Sequence, residues 1–123
     1  MTLNEYQDKA MTTCAESSNN DTYALFGLVA EVGELADKVA KAKRKGTISV
    51  QGDLILPVVP EEPTAEFEEF CRGFIKELGD VLWFVALIAK MSGLSLEYVA
   101  QLNLAKLADR KKRGKIIGEG DDR

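Results

Sequence analysis

The stretch Phe67-Glu68-Glu69-Phe70-Cys71-Arg72-Gly73-Phe74-Ile75-Lys76-Glu77-Leu78-Gly79-Asp80-Val81-Leu82 decides the fold. Its apolar residues Phe67, Phe70, Cys71, Phe74, Leu78, Val81 and Leu82, continued by Val85 and Ile88, recur at the spacing of one face of an α-helix. A half-buried strand would instead alternate apolar and polar positions. The hydroxyl of Thr64, followed by Glu66 and Phe67, suits the N-terminal cap of this helix.

Working outward, the same rhythm appears at Leu25, Leu28, Val29, Val32, Leu35, Ala36 and Val39, which predicts a buried helix face from near Thr22 to about Lys45. Leu3 to Glu16 reads as a first helix, separated from the second by the polar run Ser17-Ser18-Asn19-Asn20-Asp21. After the break at Ser92-Gly93, Ser95 caps a fourth helix that carries Val99, Leu102, Leu104 and Leu107 and frays near Arg113-Gly114. Between helices two and three, Thr47-Ile48-Ser49-Val50 and Leu54-Ile55-Leu56 flank Gln51-Gly52-Asp53, ahead of Pro57, Pro60 and Pro63. That pattern reads as a small hairpin. The fold class expected is therefore all-α: four-helix bundle-like, with a β-hairpin-like insert at 46–63. The chain of 123 residues fits one domain, 1–123, with 114–123 as a flexible tail.

Composition narrows the chemistry. With 46% hydrophobic and 29% charged residues the chain has the make-up of a folded globular protein. A formal net charge of -4 argues against a nucleic-acid partner, which calls for a basic surface. Cys14 and Cys71 form no C-x-x-C pair and read as reduced thiols of a cytoplasmic protein. The amino terminus lacks the basic start and apolar run of a secretory signal, and Val81 to Met91 is short of the ~20 residues of a membrane span. The sequence contains no histidine, so Ser-His-Asp and Cys-His mechanisms, ordinary zinc sites and a Glu-x-x-His di-iron centre are all excluded.

What remains is concentrated in two near-copies of one device: Glu31-Val32-Gly33-Glu34-Leu35 on helix two and Glu77-Leu78-Gly79-Asp80-Val81 on helix three. Acids at i and i+3 lie about 60° apart around a helix and one turn apart along it, so each pair presents two carboxylates to one side. If the two helices pack antiparallel along their stripes, four carboxylates converge on one seam, and their repulsion is tolerable only with cations bound. Oxygen-only ligation points to Mg²⁺ or Mn²⁺, with substrate phosphates completing the shell. The plainer reading is a solvated face balanced by Lys38, Lys41 and Lys76. Against it stand the duplication and the mid-helix glycines Gly33 and Gly79, each about 1 kcal/mol less favourable than alanine, which suggest close approach of another backbone.

Glu31-x-x-Glu34 and Glu77-x-x-Asp80 resemble the signature of the MazG-like all-α nucleoside triphosphate pyrophosphohydrolases, E-x-x-E on one helix and E-x-x-D on a later one. Asn103-x-x-Lys106-Leu107-x-x-Arg110 is similar to the substrate-phosphate segment of that family, and the similarity continues into the tail at Gly118-Glu119-Gly120-Asp121. The resemblance implies Mg²⁺-dependent cleavage of a nucleoside triphosphate between its α and β phosphates, giving a monophosphate and pyrophosphate. It makes Glu31, Glu34, Glu77 and Asp80 metal ligands, with Glu31 or Glu34 also orienting the attacking water, and Asn103, Lys106 and Arg110 substrate contacts. It also implies a homodimer or a dimer of dimers. The chain departs from the pattern at Ala30, where many members carry a further acid, and in the longer spacing between the motifs.

Two rival readings follow from the same residues. One is a non-catalytic helical oligomerisation module; the other is a phosphoribosyl-ATP pyrophosphohydrolase. The basic run Lys106, Arg110, Lys111, Lys112, Arg113 and Lys115 also reads as a solvated helix end favoured by the helix dipole. Trp83 and Phe84, one turn beyond the acids, are placed in the core rather than against a base.

Overall fold

The computed structural model describes residues 1–49 and 62–117, and all regular structure among them is helical. In chain order they form α1 (Leu3–Met11), a 3₁₀ turn (Glu16–Ser18), α2 (Asp21–Lys45), α3 (Ala65–Met91) and α4 (Leu96–Lys112). Each α-helix starts on a side chain able to satisfy its orphan N–H groups. Thr2 does so for α1 in a reciprocal box with Glu5, and Asn20, Thr64 and Ser95 accept from Tyr23, Phe67 and Tyr98. The caps anticipated at Thr64 and Ser95 are those that form.

Helix ends are equally local. Gly46 has φ +74°, and the N–H of Thr47 reaches back to the carbonyl of Ala42 at 3.0 Å. Gly93 repeats this at φ +69°, with Leu94 N–H on Ala89 O at 2.9 Å. Both are left-handed terminators that a residue with a Cβ adopts only under strain. The chain that leaves Gly46 immediately buries Ile48 against Ala42 and Phe67.

This explains one departure from the sequence expectation: Gly46 to Ser49 form a turn and bends rather than a first strand, because Ile48 is used as the apolar clasp of the α2 end. The remainder of the anticipated hairpin, from Val50 to Glu61, lies outside the described residues, as does the tail from Gly118. A second departure is α1, which ends at Met11 rather than Glu16. There the Thr12 and Thr13 hydroxyls donate to the carbonyls of Lys9 and Ala10 at 2.7 and 2.6 Å, diverting the backbone out of the helix.

The body is built on α2 against α3. Ala24 packs with Phe84 and Leu87 near one end of the pair, and Ala42 with Phe67 near the other, so the two helices run antiparallel. α1 and α4 lie against α3 and against each other, burying Ala86, Ala89 and Leu96 with Tyr6 and Val99. The apolar stripe of α2 is only partly buried: Ala24, Leu28, Val39 and Ala42 meet the core, whereas Leu25, Val29 and Val32 are exposed. The small residues are the ones that let α3 come close, and the larger ones fall on the next face round. Cys14 and Cys71 are free thiols. No single helix among the described residues is long and apolar enough to cross a membrane.

Gln7 fastens α1 to the turn between α3 and α4. Its buried amide donates to the carbonyls of Ala86 and Leu94 at 3.2 and 3.1 Å, while its oxygen accepts from the N–H of Leu96 at 3.0 Å. Gln7→Leu keeps the volume but strands these buried groups. It should lower the unfolding free energy by about 1–3 kcal/mol, read from urea denaturation.

Candidate active site

Contacts along the α2–α3 seam set its register. Gly27 lies under the ring of Phe84, and Lys38 crosses the backbone of Gly73. Between these two crossings the antiparallel pairing brings Glu31 opposite Asp80 and Glu34 opposite Glu77. Carboxylate oxygens of Glu31, Glu34 and Glu77 all lie within 4.8 Å of one another. Asp80 stands beside this triad, close enough that its charge acts on Glu31.

The electrostatics follow from that crowding. Burial pushes the Glu31 carboxyl above its ordinary range, and the charges of Asp80, Glu34 and Glu77 push it further. Burial, then Asp80, also raises the phenol of Tyr6 on α1. Lys38 offsets part of the negative charge: its ammonium sits 2.9 Å from Glu77 Oε1, and its proton is held more tightly through that hydrogen bond.

A cleft of about 380 Å³ opens beside the acids, bordered by Glu31 and Asp80, by Tyr23, Trp83 and Phe84, and by Thr13, Ala15 and Ser18 between α1 and α2. Phe84 is core, as expected. Trp83 is partly exposed and fixed: its Nε1 donates to Ala10 O at 3.2 Å and Thr13 Oγ1 at 2.9 Å, and its ring meets Phe84 edge-on with centroids 5.0 Å apart. It therefore serves the core and forms a wall of the cleft.

The donor chemistry fits a divalent cation. Oxygens bound to one octahedral Mg²⁺ at about 2.0–2.1 Å lie roughly 3–4 Å apart, and a triad within 4.8 Å comes close to that spacing. All the donors are hard carboxylate oxygens.

The structure thus brings together Glu31, Glu34 and Glu77, with Asp80 adjacent. It does not bring the α4 residues to the same place: Asn103 and Lys106 are exposed, Arg110 is buried, and none of the three lines the cleft. The close backbone approach expected at Gly33 and Gly79, from this chain or from a partner, is not made within the described residues. No described residue comes within 4 Å of a Cβ added at Gly33 or Gly79, whereas Gly27 is tightly approached. A Cβ there would sit 2.2 Å from the Phe84 ring, a demand that a glycine outside the acidic motifs did not advertise. Tyr23 and Ser18 are cleft residues the pattern passed over, since one reads as core and the other as loop.

Comparison with known proteins adds a family. The model described as "MazG nucleotide pyrophosphohydrolase domain" matches residues 20–114, a span that includes both acidic pairs and α4. The chain is also similar to "Gene 37 protein" of Mycobacterium phage L5, with 38% identity over 102 residues, covering 83% of this chain and 75% of the phage protein. No solved structure gives a significant match.

Two outcomes check this geometry. Gly27→Ala should destabilise the fold by about 1–3 kcal/mol, measured by urea denaturation, because the added methyl must displace Phe84. In metal-free protein the raised Glu31 pKa means that the folded state holds the proton longer than the unfolded state. Stability should therefore fall as pH rises from the ordinary carboxylate range through the raised value, and Glu31→Gln should flatten this slope. Urea midpoints in EDTA at about pH 5 and about pH 7 read both.

Proposed function

This chain belongs to the MazG nucleotide pyrophosphohydrolase family, and from that premise we propose that it hydrolyses a nucleoside triphosphate, ribo or deoxy, to the monophosphate and pyrophosphate. The observation that carries the proposal is the convergence of Glu31, Glu34 and Glu77 at the α2–α3 seam, with Asp80 alongside. These four acids would hold Mg²⁺, or Mn²⁺ in its place. When bound, the ion neutralises charge on the phosphates and makes a coordinated water more acidic.

The protein's own residues supply the rest. Glu31 borders both the acid triad and the cleft, so it is the carboxylate placed to orient a water and accept its proton next to a bound substrate. Glu34 stands one turn away as a ligand and a second candidate for that role. Tyr23 and Trp83 offer aromatic faces for the nucleoside, and the hydrogen bonds of Trp83 hold its ring in place before the substrate arrives. Asn103, Lys106 and Arg110 keep the substrate-contact role that family resemblance gives them. The free thiols and the absence of a spanning helix among the described residues go with a cytoplasmic setting.

Self-association belongs to the same proposal. Leu25, Phe26, Val29 and Val32 on α2 and Ile75, Leu78 and Leu82 on α3 are exposed. Gly33 and Gly79 have open space beside them. A second copy laid on this face would cover the apolar side chains and use the two glycines for close backbone contact. A homodimer, or a dimer of dimers, is the assembly proposed.

Purified protein should release pyrophosphate from at least one NTP or dNTP in the presence of Mg²⁺, and none in EDTA. Glu34→Gln and Asp80→Asn should each fold normally and lose roughly 10³-fold in turnover, as removal of several kcal/mol of charge stabilisation implies. A variant that keeps its activity removes its acid from the ligand set. No Mg²⁺-dependent release from any nucleotide would instead favour a non-catalytic module, and activity confined to phosphoribosyl-ATP would favour the narrower enzyme. Val29→Glu should shift the species seen by sedimentation to a monomer; an unchanged oligomer rules out that face.

A further inference from the structure

Beyond Glu34, α2 carries Lys38, Lys41 and Lys45; before Glu77, α3 carries Arg72 and Lys76. These five cations line a second cleft of about 450 Å³ between the two helices, against Glu66 and Glu69 as the acids among its described lining residues. In a chain of formal net charge -4 this is a local reversal of sign. Part of the charge is already balanced, Lys38 by Glu77, Lys41 by Asp37 and Arg72 by Glu68. Lys45 and Lys76 add to it at the two walls.

The basic cleft lies along the same side of α2 as the acidic site, and Lys38 pairs with Glu77. At 100° per residue, Tyr23, Gly27, Glu31, Glu34, Lys38, Lys41 and Lys45 fall within a stripe about 80° wide on α2. The two clefts therefore lie along one stripe of α2, on either side of the acid triad, and Lys38 stands between the triad and the basic cleft. Its side chain lies across α3 where Gly73 leaves room, with Nζ 3.2 Å from the place a Cβ would occupy, and ends on Glu77. Lys38 follows Glu34 by one turn, about 6 Å along the axis, so it lies within reach of a phosphate next to one held at the acids.

Along this stripe the order is aromatic, acidic, basic, which matches base, metal-bound phosphate and terminal phosphates of a nucleoside triphosphate. We propose that the cleft of Lys38, Lys41, Lys45, Arg72 and Lys76 receives the β- and γ-phosphates, so that the departing pyrophosphate is held there. This assignment rests on the hydrolase reading for its direction. It also gives the scissile bond a place, between the acids and Lys38. Lysines act here as point charges for a flexible anion, and Arg72 can add a two-pronged contact.

The test uses the full chain and inorganic pyrophosphate with Mg²⁺ as the probe. Lys45→Gln combined with Lys76→Gln should weaken pyrophosphate binding by about tenfold or more, while Mn²⁺ binding at the acids and the melting temperature stay unchanged. Independently, pyrophosphate should protect Lys41, Lys45 and Lys76 from an amine-reactive acylating reagent, read by mass spectrometry, and a nucleoside monophosphate should not. Unchanged pyrophosphate affinity in the double variant overturns the assignment, as does protection that falls on the α4 lysines instead. If the wild-type chain releases no pyrophosphate from any nucleotide but the double variant still loses pyrophosphate binding, the hydrolase reading fails and the cleft stands as a polyphosphate site.

Discussion

The close antiparallel contact of α2 with α3 is the constraint on which the rest depends. It is made possible by small residues: Ala24 and Ala42 in the core and Gly27 beneath the Phe84 ring. With bulkier residues the helices would stand further apart, and the acids of each would be ordinary solvated side chains. Held as they are, like charges about 5 Å apart repel by roughly 3 kcal/mol per pair at an effective dielectric of about 20. Packing elsewhere on the seam must offset this, and Phe67, Phe84 and Leu87, three of the best-buried large side chains of α3, sit beyond the acids on either side.

That arrangement has a chemical consequence. A site that repels itself when empty binds cations strongly, because part of their binding energy is relief of repulsion already present in the fold. Lys38 supplies partial relief without closing the site, since it reaches only Glu77 and approaches from the basic side. Glu31 makes no ion pair among the described residues, and it borders the aromatic cleft.

Much of this was legible in the sequence because its causes are local. The caps at Thr64 and Ser95 and the two acidic pairs each depend on residues within one or two turns of helix. Antiparallel pairing of α2 and α3 then follows from matching stripes, and convergence of the acids follows from the pairing. What escaped depends on contacts between distant residues. Gly27 is constrained by Phe84, and nothing in its own neighbourhood says so. Leu25, Val29 and Val32 share the helical rhythm of the buried residues, yet periodicity cannot say which of two adjoining apolar faces α3 will take. The early end of α1 turns on two threonine hydroxyls competing with the helix for carbonyls, a balance too fine for a pattern of apolar positions to report.

The basic cleft illustrates the same limit from the other direction. Lys38-x-x-Lys41-x-x-x-Lys45 and Arg72-x-x-x-Lys76 were visible as helically spaced cations, and each alone reads as a solvated face paired with nearby acids. Only the register that sets Lys38 over Gly73 joins them into one cavity and attaches that cavity to Glu77. Gly73 is therefore more informative than the glycines of the acidic motifs. Gly33 and Gly79 face open space in a single chain, whereas Gly73 gives passage to a charged side chain that runs between two helices and ends on a candidate ligand. A methyl group at Gly73 would have to push the stem of Lys38 aside by a few tenths of an ångström, moving a cation that lines the basic cleft and pairs with Glu77.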